Sequence, residues 1–451
     1  MQPLQTKPIF TNRQLITLLW PLVIEQALSV LVGMADTMMV SSAGEAAISG
    51  VSLVDMINQL AITVFAALAT GGAVVTSQYL GARKPEDAAR SAGQLVGLSA
   101  LLGTGVAAFC LVTRTAMLRL FFGSIAPDVM AAALLYFTIT ALSFPFLAMY
   151  NAGAAVFRST GNSAVSMKVS VIVNLINFCG NALCVYGLKM GVAGVAVPTL
   201  VSRAVGALLI LALAARPDYL LRLTLARVTR LERGTVRRIL AIGIPSACEN
   251  SLFQLGRVLV VSMISLFGTV HISANAVANN LDGVGCIIGN AMCLGMITVV
   301  GRCVGARDFD QAIHYTKKLL KWDYVAQGLT NAAVLLALGP LLSLYTLSAE
   351  TAALSAQLVW IHAGISILIW PLAFILPNAL RAANDVRFTM VVSIVSMIVW
   401  RLAFSQVLCV QLGWGALGVW WAMILDWVCR TLCFVIRFAS GAWKKNAAKA
   451  A

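Results

Sequence analysis

The chain has few charged residues. Asp, Glu, Lys and Arg make up 11% of its 451 residues, whereas apolar residues make up 60%. Soluble globular domains contain about 25% charged residues, so this composition excludes a soluble protein. The polar stretches are short, and they separate apolar runs of about 20 residues, the length that crosses a bilayer as a helix. The sequence therefore predicts an all-α polytopic membrane protein without an extramembrane domain.

Patterns typical of catalysis and of metal or nucleic-acid binding are also missing. There is no Ser/His/Asp or HExxH arrangement, and the two GAR turns lack the glycines of a P-loop, so we expect no enzyme. The ten cysteines lie mostly in apolar runs and lack the spacing of a zinc site. The net charge is +15, and the basic residues lie beside span ends. Membrane orientation and contact with lipid headgroups explain this distribution better than binding of nucleic acid. We expect no cofactor.

The apolar runs predict twelve transmembrane spans. No small-residue cleavage site follows the first run, so we expect it to be retained as a helix. An even number of spans places both termini on one side, and the loops of that side hold most of the lysines and arginines. The positive-inside rule then predicts cytoplasmic termini in a plasma-membrane protein. The predicted spans are residues 14–40, 49–72, 91–113, 126–150, 163–186, 191–213, 237–265, 273–300, 317–343, 350–375, 386–411 and 415–437.

The sequence repeats itself at an offset of about 224 residues. Because six helices per half is an even number, the halves are expected to be parallel six-helix repeats around a central cleft, the usual build of an alternating-access transporter. The predicted lobes are residues 1–213 and 237–451, and a basic cytoplasmic linker at 214–236 joins them. The matching pairs are Pro21 and Pro245, Glu25 and Glu249, Arg158 and Arg381, and Gly191 and Gly415.

Two acidic residues, Glu25 and Asp36, interrupt the first apolar run. A charged side chain at the bilayer centre costs about 2.5–3.5 kcal/mol, so one that is kept there usually faces a partner or a water-filled path. Eleven positions correspond closely to three helical turns, so both acids lie on one helix face, about 16 Å apart along the axis. Asp36 maps to Val260 in the second half, which makes Asp36 an asymmetric feature and the first candidate functional residue.

Three further polar residues are expected at the depth of Asp36. Asn177 and Asn181 lie one turn apart in the fifth predicted span, and Thr199 lies two turns into the sixth. Carboxylate, amide and hydroxyl oxygens are the ligands that hard cations prefer. If these side chains converge, they would form a cation site, although a shared depth alone does not show that they touch.

The chain resembles the multidrug and toxic compound extrusion (MATE) transporters of the MOP flippase superfamily in both halves. The resemblance rests on the segments VGMADTMMV, QYLGAR, NFCGNALCVYG and GVAGVAVPT. It implies an antiporter that exports cationic, amphipathic small molecules by alternating access, driven by inward flow of Na⁺ or H⁺. It also implies that the coupling cation binds at Asp36, Asn177, Asn181 and Thr199. Many members have Asp at the position of Asn181, so the identity of the ion stays open. We expect a monomer in contact with membrane lipid.

Other intramembrane polar residues have alternative interpretations. Glu25 and Glu249 could hold a cationic substrate or share a proton, or they could bond to the backbone or to arginine. Further residues could line the cleft or join helices through hydrogen bonds; they are Asp55, Asn275, Asn279 and Asp282. Asp426 and Arg430, spaced i, i+4, are expected to neutralise each other.

Arg203, Arg257 and Arg401 also lie within predicted spans. Each could be the counter-ion of one of these acids. Together they could instead form the cationic cleft of a flippase for lipid-linked saccharides, which is the main alternative function. The alternatives from another class are a non-transporting membrane receptor and an intramembrane enzyme, for which no catalytic arrangement is present. We expect the three histidines neither to ligate nor to catalyse.

Overall fold

The computed structural model describes residues 8–41, 45–123, 126–345 and 347–448, and these residues are almost entirely helical. The helices of the first half are α1 (Asn12–Ser41), α2 (Glu45–Gly81), α3 (Pro85–Phe122), α4 (Pro127–Leu142), α5 (Phe144–Ser159), α6 (Ser163–Ala182), α7 (Ala193–Ala214) and α8 (Leu225–Thr229). The remaining helices are α9 (Arg233–Ser265), α10 (Thr269–Gly285), α11 (Ile287–Gly305), α12 (Phe309–Leu336), α13 (Leu338–Ser343), α14 (Ala349–Trp370), α15 (Leu376–Ala382), α16 (Val386–Ser396), α17 (Ala416–Ala439) and α18 (Trp443–Ala448).

Each predicted span falls on one helix or on consecutive helices. By length and composition, nine helical segments of the described chain could each cross a membrane, and the pair α4 and α5, bent by 44°, would be a tenth. Pro145 lies in the first turn of α5 and has no backbone N–H, which accounts for a break at that point. Four π-helical turns widen other spans at Leu183–Gly187, Pro371–Ile375, Met397–Ala403 and Gln406–Gln411. The all-helical, polytopic prediction is confirmed.

The chain divides into two compact units. The first unit is Asn12–Ala247, and the second combines residues 8–11 with residues 248–448. The division falls inside α9. Residues 8–11 belong to the second unit because Phe10 bonds to α12: its N–H donates to the Tyr315 hydroxyl over 2.9 Å, and that hydroxyl donates to the Phe10 carbonyl oxygen over 2.6 Å. The lobe bounds inferred from the repeat, with a linker at 214–236, stay a prediction.

Small residues bring the helices of the first unit close together. A Cβ added to Gly71 of α2 would lie 2.6 Å from the carbonyl oxygen of Ile239 on α9. A Cβ on Gly180 of α6 would lie 2.7 Å from the Cβ of Pro198 on α7. Such contacts are typical of membrane helices, which associate through close packing because lipid is as apolar as their side chains. The contact at Gly180 fixes the spacing of the two helices that carry Asn177, Asn181 and Thr199.

Candidate functional site

The four residues predicted to bind a cation converge between α1, α6 and α7 in the first unit. Asn181 donates from Nδ2 to the Asp36 carboxylate over 2.8 Å, and the same amide lies 3.3 Å from Asn177 Oδ1. Asn177 donates from its own Nδ2 to the Thr199 hydroxyl over 3.1 Å. Asp36, Asn181, Asn177 and Thr199 therefore form one continuous hydrogen-bonded chain across three helices.

This chain is largely shielded from solvent and keeps an unused acceptor. Asn181 is fully buried, and its Oδ1 has no hydrogen-bond partner among the residues that the structure describes. Among the described residues, here or elsewhere, no group of three His, Cys, Asp or Glu side chains is placed to hold a metal ion. The site thus combines one carboxylate with amide and hydroxyl oxygens, a set that suits a hard monovalent cation or a proton on Asp36.

A second acid of the first unit, Asp55 on α2, has its own partners. The Tyr136 hydroxyl donates to Asp55 Oδ1 over 3.1 Å, and Asn58 Nδ2 donates to the same oxygen over 3.2 Å. Arg203 on α7 donates to the Ser143 hydroxyl over 2.7 Å and lies within electrostatic range of both Asp55 and Asp36. Asp55 and Arg203 therefore belong to the electrostatic surroundings of Asp36, although neither is hydrogen-bonded to it.

Glu25 and Glu249 each pair with an arginine of their own unit. Glu25 lies 3.7 Å from Arg158 and accepts a hydrogen bond from the Ser166 hydroxyl over 3.1 Å. Glu249 accepts from Arg381 over 2.6 Å. Because the repeat relates both acids and both arginines, the acid–arginine pair is duplicated as a unit. Of the sequence interpretations, bonding to arginine is the one that this geometry matches. Sharing a proton or a substrate stays a prediction.

Asn275, Asn279 and Asp282 line one cavity of about 380 Å³ that lies within the second unit. Trp420 donates from Nε1 to Asn275 Oδ1 over 2.9 Å, and Asn279 Nδ2 lies 3.2 Å from the same oxygen. Asp282 lies 2.9 Å from Nε2 of His362. The three polar residues of α10 thus face a common cavity and also bond to neighbouring helices.

Three further buried polar residues lie outside the predicted set. They are Tyr136, His362 and Asp323. The Asp323 carboxylate, on α12, is fully buried and has no hydrogen-bond partner among the described residues. Asp323 could have been found as the acid of the predicted span 317–343. By contrast, the partners of Tyr136 and His362 lie on distant helices and leave no signal in one sequence. The predicted pair of Asp426 and Arg430 is present, with 2.8 Å between Oδ1 and Nε.

Comparisons of the sequence with known proteins agree on one class of protein. The family model MatE matches residues 21–183 and again residues 245–407, so both ends of the second match lie 224 positions after those of the first. The uncharacterized transporter YisQ of Bacillus subtilis is 27% identical over 97% of this chain and 96% of its own length. A probable multidrug resistance protein, NorM of Thermotoga maritima, is 24% identical over 97% and 94%.

The fold agrees with this match. A solved structure described as the outward-facing conformation of a multidrug resistance MATE family transporter of the MOP superfamily superposes with a TM-score of 0.89, at 20% identity over 96% of each chain. The fold and the repeated match define a multi-pass membrane transporter. The chain belongs to the MATE family. Structures of this fold contain twelve transmembrane helices in two repeats, as the sequence predicts here.

Proposed function

We propose that the protein is an antiporter that exports cationic, amphipathic small molecules in exchange for an inward-moving Na⁺ or H⁺. The observation that carries this proposal is the convergence of Asp36, Asn177, Asn181 and Thr199. The similarity to NorM, described as a probable multidrug resistance protein, supports the class of substrate.

The chemistry of the site explains how an ion could drive transport. Asp36 is the single carboxylate of the hydrogen-bonded chain, so one monovalent cation or one proton neutralises it. A bound Na⁺ would use the oxygens of Asp36, Asn181, Asn177 and Thr199, whereas a proton would reside on Asp36. The ion can shift the transporter between its conformations only by the difference between its affinities for them. Antiport follows when an organic cation and the coupling ion compete for the same negative charge.

The membrane placement is part of the same proposal. Lysines and arginines cluster at the loops and ends of one side, which supports a plasma-membrane protein with both termini in the cytoplasm. The four-residue site lies within one chain, which supports a monomer as the working form.

A flippase for lipid-linked saccharides is the second candidate. It is favoured by Arg257 and Arg401, which line the cavity of the second unit and could contact a pyrophosphate through charge-assisted hydrogen bonds.

The two candidate functions differ in the substrate that is transported and in whether an ion gradient drives its transport. In proteoliposomes, we expect efflux of a fluorescent organic cation to accelerate when an inward Na⁺ gradient or an inward pH gradient is imposed. Equal rates with and without both gradients would contradict cation coupling. Movement of a lipid-linked sugar between leaflets, without any response of the organic cation, would favour the flippase.

A further inference from the structure

The second unit contains the repeat counterpart of the cation site, and its residue types are changed. At the offset of 224, the carboxylate of Asp36 is replaced by an aliphatic side chain, and the amide of Asn177 is replaced by a guanidinium. The matched pairs are Asp36 and Val260, Asn177 and Arg401, Asn181 and Ser405, and Thr199 and Met423. The duplicated position has therefore lost its negative charge and gained a positive one.

The counterpart residues border a cavity of the second unit. Val260, Arg401 and Met423 all line the cavity of about 380 Å³, together with Arg257. Arg257 maps to Gly33 in the first half, and Arg401 maps to Asn177. Both arginines that line the cavity are therefore present in the second half alone. Arg401 lies in the π-helical turn Met397–Ala403, a local widening that is frequent at functional sites.

The charges that line this cavity do not cancel. Among the described residues that line it, the one carboxylate is that of Asp282, which lies 2.9 Å from His362 Nε2 and accepts from the Cys286 thiol over 3.2 Å. Asp426 lies outside the lining; Arg430 contacts it at 2.8 Å and Arg401 only at 3.8 Å. Because Asp426 pairs with Arg430, the lining arginines Arg257 and Arg401 outnumber the lining carboxylate Asp282 by one, so the described part of the cavity wall carries an excess of at least one positive charge.

Arg401 also has unused hydrogen-bonding capacity. Its side chain is buried, and its Nε has no hydrogen-bond partner among the described residues. The ring of Phe253 packs against its guanidinium, with 4.8 Å between Cζ and the ring centroid, and holds it in place. An unpaired guanidinium donor in a buried wall is costly unless an acceptor is supplied, and an anionic ligand supplies one.

Aromatic side chains complete the lining. Trp370, Trp420, Trp427 and Phe374 border the cavity, and Trp370 and Phe374 are stacked with their ring centroids 4.9 Å apart. Such walls favour a flat, apolar body, whereas the two arginines favour a negative group at its end.

From these features we propose that the cavity of the second unit binds a small organic anion with an aromatic body, whose carboxylate, sulfonate or phosphate contacts Arg401 and Arg257. The repeat would then provide a cation site in the first unit and an anion site in the second. This assignment goes beyond the proposed function, because binding of the anion requires neither a gradient nor coupling.

The test is equilibrium binding of three probes with the same ring and different charge. Purified full-length protein in phosphatidylcholine nanodiscs is titrated with 1-naphthoate, 1-naphthylmethanol and 1-naphthylmethylammonium, and binding is followed by quenching of tryptophan fluorescence. We expect saturable binding of 1-naphthoate, at least about tenfold tighter than binding of either other probe. Equal affinity for all three, or tightest binding of the ammonium compound, would overturn the proposal.

Substitution of the two arginines that line the cavity tests where the anion binds. Arg401→Gln should weaken 1-naphthoate binding by about tenfold or more. Because Arg401 also contacts Asp426, Arg257→Gln provides a second variant at an exposed position and should weaken binding in the same direction. Arg387→Gln, at an exposed arginine of α16 outside the cavity lining, is the matched control and should bind as the parent does. Unchanged binding in well-folded Arg257→Gln and Arg401→Gln would refute the assignment.

The same assay distinguishes two sources of the anion, the headgroup of a lipid and a free molecule. If the headgroup of an anionic lipid reaches the cavity, adding phosphatidylglycerol to the nanodisc should weaken 1-naphthoate binding competitively. If only free molecules enter, the affinity should stay the same. Since no gradient is imposed, failure of ion-coupled efflux would leave this binding result standing, and the reverse also holds.

Discussion

Asn181 donates a hydrogen bond from Nδ2 to the Asp36 carboxylate over 2.8 Å and so joins α6 to α1. The donor amide continues toward Asn177 and Thr199. Because position 181 carries an amide, the hydrogen-bonded chain holds one negative charge. The number of charges that an ion must neutralise therefore depends on this single residue.

Asn181→Asp is expected to increase the affinity for the coupling cation. Two carboxylates at hydrogen-bond distance repel each other, and a cation between them relieves that repulsion. Binding of ²²Na⁺ to the purified protein at fixed pH measures the change. Asn174→Asp adds the same charge to α6 seven residues earlier and should have a smaller effect. A lower Na⁺ affinity in Asn181→Asp than in the parent would contradict the assignment of these oxygens.

Thr199→Ala should weaken binding of the coupling ion without unfolding the protein. The substitution removes the acceptor of Asn177 Nδ2 and one candidate ligand oxygen, and the loss of one hydrogen bond corresponds to roughly three- to tenfold in affinity. The matched control is Thr113→Ala, at a partly exposed threonine of α3 whose hydroxyl bonds to a carbonyl of its own helix, as that of Thr199 does. If both variants needed the same ion concentration for half-maximal efflux, Thr199 would not belong to the site.

Gly180→Ala should destabilise the first unit. The new Cβ would lie 2.7 Å from Pro198 Cβ, so α6 and α7 would have to move apart at the site. Overpacking of this kind costs about 1–3 kcal/mol, which a thermal unfolding curve in detergent would register as a lower midpoint. Gly105→Ala on α3, where nothing lies within 4 Å of the added Cβ, is the control. Identical midpoints for the two variants would show that the close contact of Gly180 with Pro198 does not limit the stability of the first unit.

The pair of Glu249 and Arg381 should behave as a coupled unit in a double-mutant cycle. Glu249→Gln leaves the largely buried Arg381 without its counter-charge, and breaking a buried pair costs about 3–5 kcal/mol. The double variant with Arg381→Gln should therefore lose less free energy of unfolding than the sum of the single variants. Glu350→Gln, at an exposed acid of α14, controls for loss of charge alone. Strict additivity would mean that the two side chains do not stabilise each other.

The sequence was sufficient to predict helices and their repetition. Apolar runs of membrane-spanning length depend on local composition, and the offset that relates Glu25 to Glu249 is preserved over most of the chain. The same offset separates the two matches of the family model. For the site, the sequence supplied residue types and helical phase, and the resemblance supplied the grouping of Asp36 with Asn177, Asn181 and Thr199.

The remaining contacts could not be predicted because they depend on how distant helices meet. His362 lies 2.9 Å from Asp282, 80 positions earlier in the chain, and no pattern in the sequence links the two residues. Tyr136 reaches Asp55 across 81 positions. Periodicity places a residue on a face of its own helix, but it does not indicate which face of another helix lies opposite.

The central claim is that Asp36 carries the coupling charge, and gradient-driven efflux from proteoliposomes of the Asp36→Asn variant tests it most directly. The amide keeps the size of the side chain and removes its charge. We predict that an imposed Na⁺ or pH gradient no longer accelerates efflux of an organic cation in this variant, whereas the control Asp128→Asn, at an exposed acid of α4, responds as the parent does. An undiminished response of Asp36→Asn to the driving gradient would contradict the account.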